Sequence, residues 1–345
     1  MQENSKKNNN KTGVVIYGTM GPSCRELNTL KEMFREGMNG IRLNLSHTTL
    51  EEASNLIETF NKAALECNVT PELLIDMQGP ELRIGALDKA VRLKDGEMIG
   101  LEEIAFPEVV VQELINRAPG QEILLDDGKL LLQTETSEKV GEGDAGIILR
   151  VMRGGILESR KSVALPGCNI KTPAMTLNDR EQIRRAREFG VTAVMQPFVR
   201  SKEDLMEVRK ALDEAGGKDI RLFAKIENKS GISHLEELIP YCDEIVIARG
   251  DLGNAMELWE LPAVQKHISK VCREAGRAFM VVTQMLDSMT HRQVPTRAEV
   301  SDIFNAVLDG AASVMVTGET ATGDYPVQVI HYLAKTVHEA QLYLK

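Results

Sequence analysis

Eight short apolar, β-rich runs recur along this chain, and stretches with helical spacing or turn signals separate them. The runs lie at residues 14–18, 41–45, 73–76, 193–196, 222–226, 244–248, 278–283 and 313–317. Strands that alternate with helices predict a parallel sheet, and eight of them suit a closed (β/α)8 barrel. An open doubly wound sheet is the alternative, and it accommodates eight strands less naturally. We therefore predict an α/β fold built on a TIM barrel.

The alternation of strands and helices is interrupted after the third run. From residue 84 to residue 161 the segments are short, alternating and rich in turns such as DDGK and RGG. This predicts a small β-barrel-like domain inserted after strand 3, so that the barrel comprises residues 13–83 and 162–345. Ser23 is the expected N-cap of the first helix, which should run to about residue 37.

Composition excludes several classes of function. A net charge of −10 argues against binding nucleic acid or an acidic membrane surface. No apolar run approaches the ~20 residues of a membrane span. Residues 1–12 are polar, which predicts a disordered leader and no secretory signal. The five cysteines are scattered without a CxxC motif, which is typical of reduced thiols and favours a cytoplasmic protein.

The fifth run, LFAKIEN at 222–228, brings two opposite charges together. Side chains alternate between the faces of a strand, so Lys225 and Glu227 share one face near its carboxyl end. The next run is followed by ARGDLG, which contains Asp251. Because neighbouring parallel strands lie roughly 4.8 Å apart, Glu227 and Asp251 can converge on one cation beside Lys225. A simple surface ion pair between Lys225 and Glu227 is the alternative.

Polar residues follow most of the predicted strands, where barrel enzymes keep their catalytic groups. They are Arg42, Asn44, Ser46, Asp76, Gln78, Lys225, Glu227, Arg249, Asp251, Thr283, Thr317 and Glu319. Such a mixture of cations and carboxylates predicts a site for an anionic ligand and a metal. Magnesium is the metal expected, because the candidate ligands are carboxylate oxygens and no histidine or cysteine group has zinc spacing.

Several motifs in a fixed order resemble one family. They are TMGPSC at 19–24, GMNGIRLNLSH at 37–47, IDMQGPELR at 75–83, AKIEN at 224–228, ARGDLG at 248–253, PTRAEVSD at 295–302 and TGETATGDYP at 317–326. The chain resembles the pyruvate kinase family from residue 14 to its end. The resemblance implies phosphoryl transfer from phosphoenolpyruvate to ADP, giving pyruvate and ATP in glycolysis.

The resemblance also implies roles for matching residues. Glu227 and Asp251 would hold Mg²⁺ (or Mn²⁺), and Lys225 would neutralise charge on the phosphoryl group in transfer. The substrate would be bound by Arg42 at its phosphate, by the backbone N–H groups of Gly250 and Asp251 at its carboxylate, and near Thr283 at the carbon that is protonated. Asn44, Ser46, Asp76 and the Met77 carbonyl would surround K⁺. Asn44, His47, Arg83 and Lys161 would lie near the nucleotide, and the inserted domain would close as a lid.

The family pattern is not followed at every position. Val15 and Gln78 stand where the family has lysines, Ala164 replaces a hinge asparagine, Asn254-Ala255 replaces Val-Glu, and Thr317 replaces a serine. Two other readings therefore stay open, a Mg²⁺-dependent lyase or aldolase acting on oxoacids and a catalytically weak metabolite-binding paralogue. Glu81 stands where the family carries an acidic residue in its potassium-dependent members, which implies dependence on K⁺.

Regulation and assembly are also expected to follow the family. The sequence stops after the eighth barrel helix and shows no third domain, where many relatives bind effectors. We therefore expect hyperbolic saturation by phosphoenolpyruvate without activation by sugar phosphates. Pairing of monomers through barrel helices is compatible with this organisation.

Overall fold

The computed structural model describes residues 13–117, 119–126, 128–135, 147–168, 170 and 172–345. The leader predicted at residues 1–12 lies outside the described residues. The chain divides into two compact units, one of residues 13–79 with Ala174–Lys345 and one of Pro80–Pro173. The domain predicted at 84–161 falls within the second unit.

Both units contain β-strands. In chain order they are β1 (Val15–Thr19), β2 (Gly40–Asn44), β3 (Glu72–Asp76), β4 (Val91–Leu93), β5 (Met98–Gly100), β6 (Glu122–Leu125), β7 (Leu130–Glu135), β8 (Ile148–Arg153), β9 (Gly155–Leu157), β10 (Val163–Ala164), β11 (Ala193–Gln196), β12 (Arg221–Ile226), β13 (Glu244–Ala248), β14 (Ala278–Val282) and β15 (Ser313–Met315). Eight of them close into a parallel barrel in the order β1-β15-β14-β13-β12-β11-β3-β2. The predicted (β/α)8 barrel is therefore confirmed.

Helices follow the barrel strands, and a further helix, Glu108–Ile115, belongs to the second unit. They are α1 (Leu27–Arg35), α2 (Ser54–Glu66), α3 (Glu108–Ile115), α4 (Leu177–Arg185), α5 (Lys202–Glu214), α6 (Lys229–Ser233), α7 (Leu235–Leu238), α8 (Arg249–Ala255), α9 (Leu261–Glu274), α10 (Arg297–Leu308), α11 (Gly318–Ala321) and α12 (Pro326–Tyr343). Within the described residues, none of these helices combines the length and the apolar character needed to cross a bilayer.

Each barrel strand presents alternate side chains to two different cores. Leu222 and Ile226 of β12 pack outward into the core beneath the helices, whereas Phe223 points into the barrel, where Met280 and Tyr17 also lie. Full burial of one such side chain contributes about 1.5–3 kcal/mol. The same alternation continues to the end of β12, so Lys225 emerges on the inner face of the barrel.

Two helices begin with a complete capping box, in which the N-cap and third residues exchange hydrogen bonds. Thr176 and Asp179 form the box of α4, and Thr296 and Glu299 form that of α10. The cap predicted at Ser23 is wrong. Pro22–Cys24 forms a separate 3-10 turn with proline in its first turn, and α1 starts only at Leu27.

The second unit has a core of its own and is described by itself. Its described strands form an antiparallel five-stranded sheet in the order β10-β6-β7-β8-β5 and a two-stranded sheet of β4 and β9, and neither sheet is closed. Leu125, Leu132 and Val151 belong to its buried core. The helix α3 was not predicted, because its run of valines is typical of a strand. Val110 and Leu114, four residues apart on one helical face, are buried.

Candidate active site

Four charged side chains from three barrel strands meet at the carboxyl ends of those strands. Arg42 of β2 binds Asp76, the last residue of β3, with Nη2 2.6 Å and Nε 2.9 Å from Oδ2. Lys225 of β12 bridges two carboxylates, because its Nζ lies 3.4 Å from Asp76 Oδ2 and 2.7 Å from Glu227 Oε1. The predicted proximity of Lys225 and Glu227 is observed, but the pair lies inside the barrel and is not a surface ion pair.

Burial shapes the ionisation of this cluster. Burial alone would lower the pKa of Lys225, but the carboxylates of Asp76, Glu227 and Asp251 outweigh it and raise that pKa. Burial also raises the pKa of Glu227 above its ordinary value, despite the attraction of Lys225, and the charge of Asp251 raises it further. Lys225 therefore stays a cation, whereas burial opposes the negative charge of Glu227.

Two buried carboxylate oxygens in the cluster have no hydrogen-bond partner. They are Asp76 Oδ1 and Glu227 Oε1, whose contact with the Lys225 ammonium lacks hydrogen-bond alignment. The other oxygen of Glu227 accepts a 2.7 Å bond from the Phe198 N–H, which fixes the carboxylate in place. Buried charged oxygens without partners are costly unless a cation or a donor completes them. The donor set at Asp76 and Glu227 therefore fits hard cations.

The arrangement suits a cation that also takes ligands from a substrate. No group of three or more His, Cys, Asp or Glu side chains converges as a complete metal site in the parts of the chain that are described. Mg²⁺ commonly uses only one or two carboxylates and fills its octahedron with water and phosphate oxygens. Glu227 and Asp251, which follow neighbouring strands, provide such a partial set.

The residues predicted around a monovalent cation lie at the carboxyl ends of the adjacent strands β2 and β3 or just after them. Asn44 pairs directly with Asp76 in the parallel ladder. The Asn44 Oδ1 accepts a 3.1 Å bond from the Ser46 N–H, and Met77 is buried directly after β3. Exposed His47 follows in the same turn, where its N–H donates to the Asn44 carbonyl at 3.4 Å.

A strained turn follows β14 and contacts the start of α8. Thr283 and Gln284 have φ values of 74° and 52°, in the left-handed region that a β-branched threonine rarely adopts. Arg249 holds this turn through bonds of 3.1 Å and 2.6 Å to the Thr283 carbonyl, and its Nη1 lies 2.5 Å from Asp302 Oδ2. The Thr283 hydroxyl accepts a 2.7 Å bond from the Gly250 N–H. Thr283 and Gly250 are thus in direct contact.

Arg83 and Lys161 lie together in the second unit. Arg83 forms a bridge with Ser162, and its Nη1 donates to the Arg160 carbonyl at 2.9 Å. Lys161 is paired with Asp126 at 3.1 Å and with Glu158 at 3.3 Å. Both cations therefore have partners within their own unit.

The positions that depart from the family pattern are scattered over the fold. Val15 opens β1 and packs against the interior of the barrel, and Ala164 pairs with Leu124 in β10. Asn254 and Ala255 close α8. Thr317 donates from its backbone N–H to Glu319 Oε2 at 2.6 Å, so Glu319 supports a turn.

Two supports of the site were missed at the sequence level. Phe198 fixes Glu227 through a backbone N–H, which side-chain patterns do not reveal. Asp179 accepts bonds of 2.9 Å and 3.1 Å from the N–H groups of Gln78 and Gly79, directly after the end of β3. The capping-box motif TLND at 176–179 is visible in the sequence and marks the start of a helix. It does not indicate that Asp179 also accepts hydrogen bonds from Gln78 and Gly79.

Comparison with known proteins adds a consistent match. A family model described as pyruvate kinase, barrel domain, matches residues 10–330. A pyruvate kinase of Geobacillus stearothermophilus is 36% identical over 341 residues, which cover 96% of this chain and 56% of the relative. A pyruvate kinase of Clostridium perfringens (strain 13 / Type A) is 36% identical over 332 residues, covering 94% of this chain and 69% of the relative.

A third relative provides a similar match. A pyruvate kinase of Leishmania mexicana is 36% identical over 337 residues, covering 94% of this chain and 66% of the relative. The chain thus spans 56% of the length of the Geobacillus relative and about two thirds of the other two.

Proposed function

Because this chain belongs to the pyruvate kinase family, we propose that it transfers the phosphoryl group of phosphoenolpyruvate to ADP, forming pyruvate and ATP. The single observation that carries the proposal is the buried cluster of Arg42, Asp76, Lys225 and Glu227 at the carboxyl ends of the barrel strands. Two cations beside carboxylates with unpartnered oxygens suit a phosphorylated anion that arrives with metal ions.

The cations of the reaction would be held by the chain's own oxygen atoms. Glu227 and Asp251 would hold Mg²⁺ (or Mn²⁺), and their fit rests on Glu227 Oε1, which is buried beside the Lys225 ammonium without an aligned hydrogen bond. The bound divalent ion supplies positive charge against the phosphoryl oxygens. Asn44, Ser46, Asp76 and the Met77 carbonyl would hold K⁺, and their fit rests on the unpartnered Asp76 Oδ1.

Side chains of the cluster would act on the phosphoryl group. The bond between phosphorus and the enol oxygen breaks while a terminal ADP oxygen bonds to phosphorus. Charge spreads over the phosphoryl oxygens in that transfer, and Lys225, which stays protonated, stabilises it. Arg42 orients the phosphate with two donors. The enolate left behind takes a proton at its methylene carbon, beside Thr283.

The remaining contacts concern the substrate carboxylate and the nucleotide. The N–H groups of Gly250 and Asp251 would bind the carboxylate, and the bond from Gly250 to Thr283 would then be exchanged for one to substrate. Asn44, His47, Arg83 and Lys161 would contact ADP. The inserted unit would close as a lid and exclude water from the phosphoryl group.

A coupled assay for pyruvate tests the proposal directly. Purified protein is supplied with phosphoenolpyruvate, ADP, Mg²⁺ and K⁺, and pyruvate is reduced by lactate dehydrogenase while NADH absorbance falls. Pyruvate formed only when ADP is present supports the kinase. Cleavage of an oxoacid without ADP would favour a lyase. Binding of phosphoenolpyruvate without turnover would favour a metabolite-binding paralogue, a reading motivated by the departures at Val15, Gln78, Ala164 and Asn254-Ala255.

The same proposal extends to location and assembly. We place the enzyme in the cytoplasm, which agrees with five cysteines that are all described and all free. Copies of the chain would pair through barrel helices. Leu258 and Trp259, just before α9, are 70% and 78% exposed and would be covered in a pair. Sedimentation velocity would detect a dimer that Trp259→Glu weakens, and an unmodified chain that sediments as a monomer would refute pairing.

A further inference from the structure

One carboxylate outside the catalytic cluster makes more hydrogen bonds than its local role requires. Asp179 is fully buried at the start of α4. Its Oδ2 accepts bonds of 2.8 Å from both the backbone N–H and the hydroxyl of Thr176, which complete the capping box. Its Oδ1 accepts a 2.9 Å bond from the Gln78 N–H, and Oδ2 also accepts a 3.1 Å bond from the Gly79 N–H.

Capping alone does not explain the burial of this charge. The capping box of α10 does the same local work with Glu299, which is only partly buried and remains in contact with solvent. Removing a carboxylate completely from water costs several kcal/mol unless several donors compensate it. Two of the hydrogen-bond donors to the Asp179 carboxylate, the N–H groups of Gln78 and Gly79, come from the segment after β3. The buried carboxylate therefore serves that segment as well as its helix.

The bond to Gln78 fixes the direction of a carbonyl. The N–H of Gln78 and the C=O of Met77 belong to one planar peptide unit, and no cis peptide bond occurs in the described residues. In a trans unit these two groups point in opposite directions. The Met77 carbonyl must therefore point away from Asp179. A hydrogen bond to an ionised acceptor also polarises the peptide unit and makes the carbonyl oxygen a better ligand for a cation.

We propose that Asp179 is a positioning residue that aims the Met77 carbonyl at the monovalent-cation pocket bordered by Asp76. The inference rests on the K⁺ site of the proposed function. That site has an unpartnered acceptor in the same segment, because Asp76 Oδ1 is buried without a hydrogen-bond partner. Asp179 does not touch the cation; it acts through the peptide unit that it holds.

The experiment measures K⁺ binding without using activity. The unfolding temperature is followed as KCl replaces tetramethylammonium chloride at constant ionic strength, for the unmodified chain and for Asp179→Asn. Groups that orient metal ligands typically change affinity by 10- to 100-fold when removed, so Asp179→Asn should need about that much more K⁺ for the half-maximal shift. Glu299→Gln is the matched control, since it removes the capping carboxylate of α10, and it should leave the K⁺ requirement unchanged.

Hydrogen exchange of the segment 77–79 provides the second readout. The Gln78 and Gly79 amides should exchange faster in Asp179→Asn and at the original rate in Glu299→Gln. Faster exchange with an unchanged K⁺ requirement would overturn the proposal, as would an equal change of that requirement in both variants. If Asp179→Asn does not fold, Asp179→Glu keeps the charge, displaces the oxygens and carries the same expectations.

The two levels of the proposal fail separately. An unmodified chain that forms no pyruvate from phosphoenolpyruvate and ADP would refute the proposed function, while the thermal shift by K⁺ would still be measurable. An unmodified chain whose unfolding temperature does not respond to K⁺ would overturn the role of Asp179, whatever its turnover.

Discussion

Lys225 is a buried side chain that neighbouring carboxylates hold as a cation. Its ammonium lies between Asp76 and Glu227, and its side chain is only 14% exposed. The carboxylates keep it charged in a place where burial would otherwise favour the neutral amine. A fixed cation in a water-poor site interacts strongly with charge that develops in a transition state.

Replacing Lys225 by methionine should lower kcat by about 100- to 1,000-fold, because one preorganised charge is lost from the transition state. The KM for phosphoenolpyruvate should change much less. Steady-state kinetics with varied phosphoenolpyruvate measures both. Lys31→Met is the control, since Lys31 forms an ion pair of 2.6 Å with Glu66 outside the site. A preserved kcat with a raised KM would make Lys225 only a binding group.

Glu227→Gln and Asp251→Asn should each reduce turnover by orders of magnitude and raise the Mg²⁺ concentration needed for half-maximal rate. Each change removes a negative ligand from a hard cation while keeping the size of the side chain. Rates are measured over a Mg²⁺ series, with Glu66→Gln as the control. Near-normal rates at limiting Mg²⁺ in either variant would remove that residue from the proposed metal site.

At the scale of elements, the first residues of several strands fill the opposite end of the barrel with a polar network. Glu72 of β3 accepts from Tyr17 and from Arg221, and Ser313 of β15 donates to Glu244 of β13. Burial raises the pKa of Glu244 to about 7, although the bond from Ser313 and the charge of Arg221 oppose it. This end of the barrel has no place in the proposed reaction, so the network bears on stability alone.

Glu244 should make the folded barrel less stable as pH rises from about 4.5 to about 7. The folded state holds the proton more tightly than the unfolded state in this window, so raising the pH favours unfolding. Glu72 and Asp243 add to the cost of the negative charge. Glu244→Gln should remove this slope and gain up to about 3 kcal/mol at pH 8.

Urea unfolding at pH 5 and pH 8 measures the effect. The advantage of Glu244→Gln should be large at pH 8 and small at pH 5. Glu236→Gln, on the exposed face of α7, is the control and should show no such difference. Equal stability changes at both pH values would mean that the carboxyl keeps an ordinary pKa.

The strands were predictable because side chains alternate between the two faces of a strand with a period of two residues. The same period places Lys225 and Glu227 on one face. The start of α1 could not be predicted, because Pro22 begins a separate 3-10 turn whose sequence resembles a helix N-terminus. The left-handed turn at Thr283 was also hidden, since no glycine marks it and Arg249 holds it from the start of α8. The reach of Asp179 to Gln78 joins residues far apart in the chain, which no local pattern encodes.

The two units of the molecule differ in the kind of strand pairing that holds each of them together. The barrel depends on a parallel ladder between consecutive strands and on helices that cover it. The inserted unit depends on antiparallel strands and on a separate apolar core. Its sequence indicates strands through turns and alternation, but the sheet order is decided by pairings that only the folded chain reveals.

The activity should rise several-fold when K⁺ replaces Na⁺ or tetramethylammonium at constant ionic strength. Neither Glu81 nor Gln78, which stands where the family has a lysine, supplies positive charge to the proposed site. A bound K⁺ is therefore expected to supply that charge. Glu81→Lys should weaken the response because its ammonium can replace the charge of the ion. The pyruvate assay in matched chloride salts measures this, and a rate indifferent to K⁺ would contradict it.

Excising residues 80–173 and joining Gly79 to Ala174 through a short Gly-Ser linker should leave a folded barrel. Asp179 holds both Gly79 and Thr176, so the two ends to be joined already lie close together. Far-ultraviolet circular dichroism and cooperative thermal unfolding are the measurements. The shortened chain should retain helical and strand signals and lose pyruvate formation. A product that unfolds without cooperativity would show that the barrel needs its insertion.

The ladder between β3 and β11 also bears on whether the barrel can fold without the inserted unit. Asp76 and Met195 are direct neighbours in it, although the whole inserted unit separates them along the chain. Every hydrogen bond that closes the barrel is thus made among barrel strands alone. In evolutionary terms, the inserted unit can change in length and sequence while the pairing of the barrel strands is kept. Exchange of this segment between relatives should therefore preserve the eight-stranded barrel ladder.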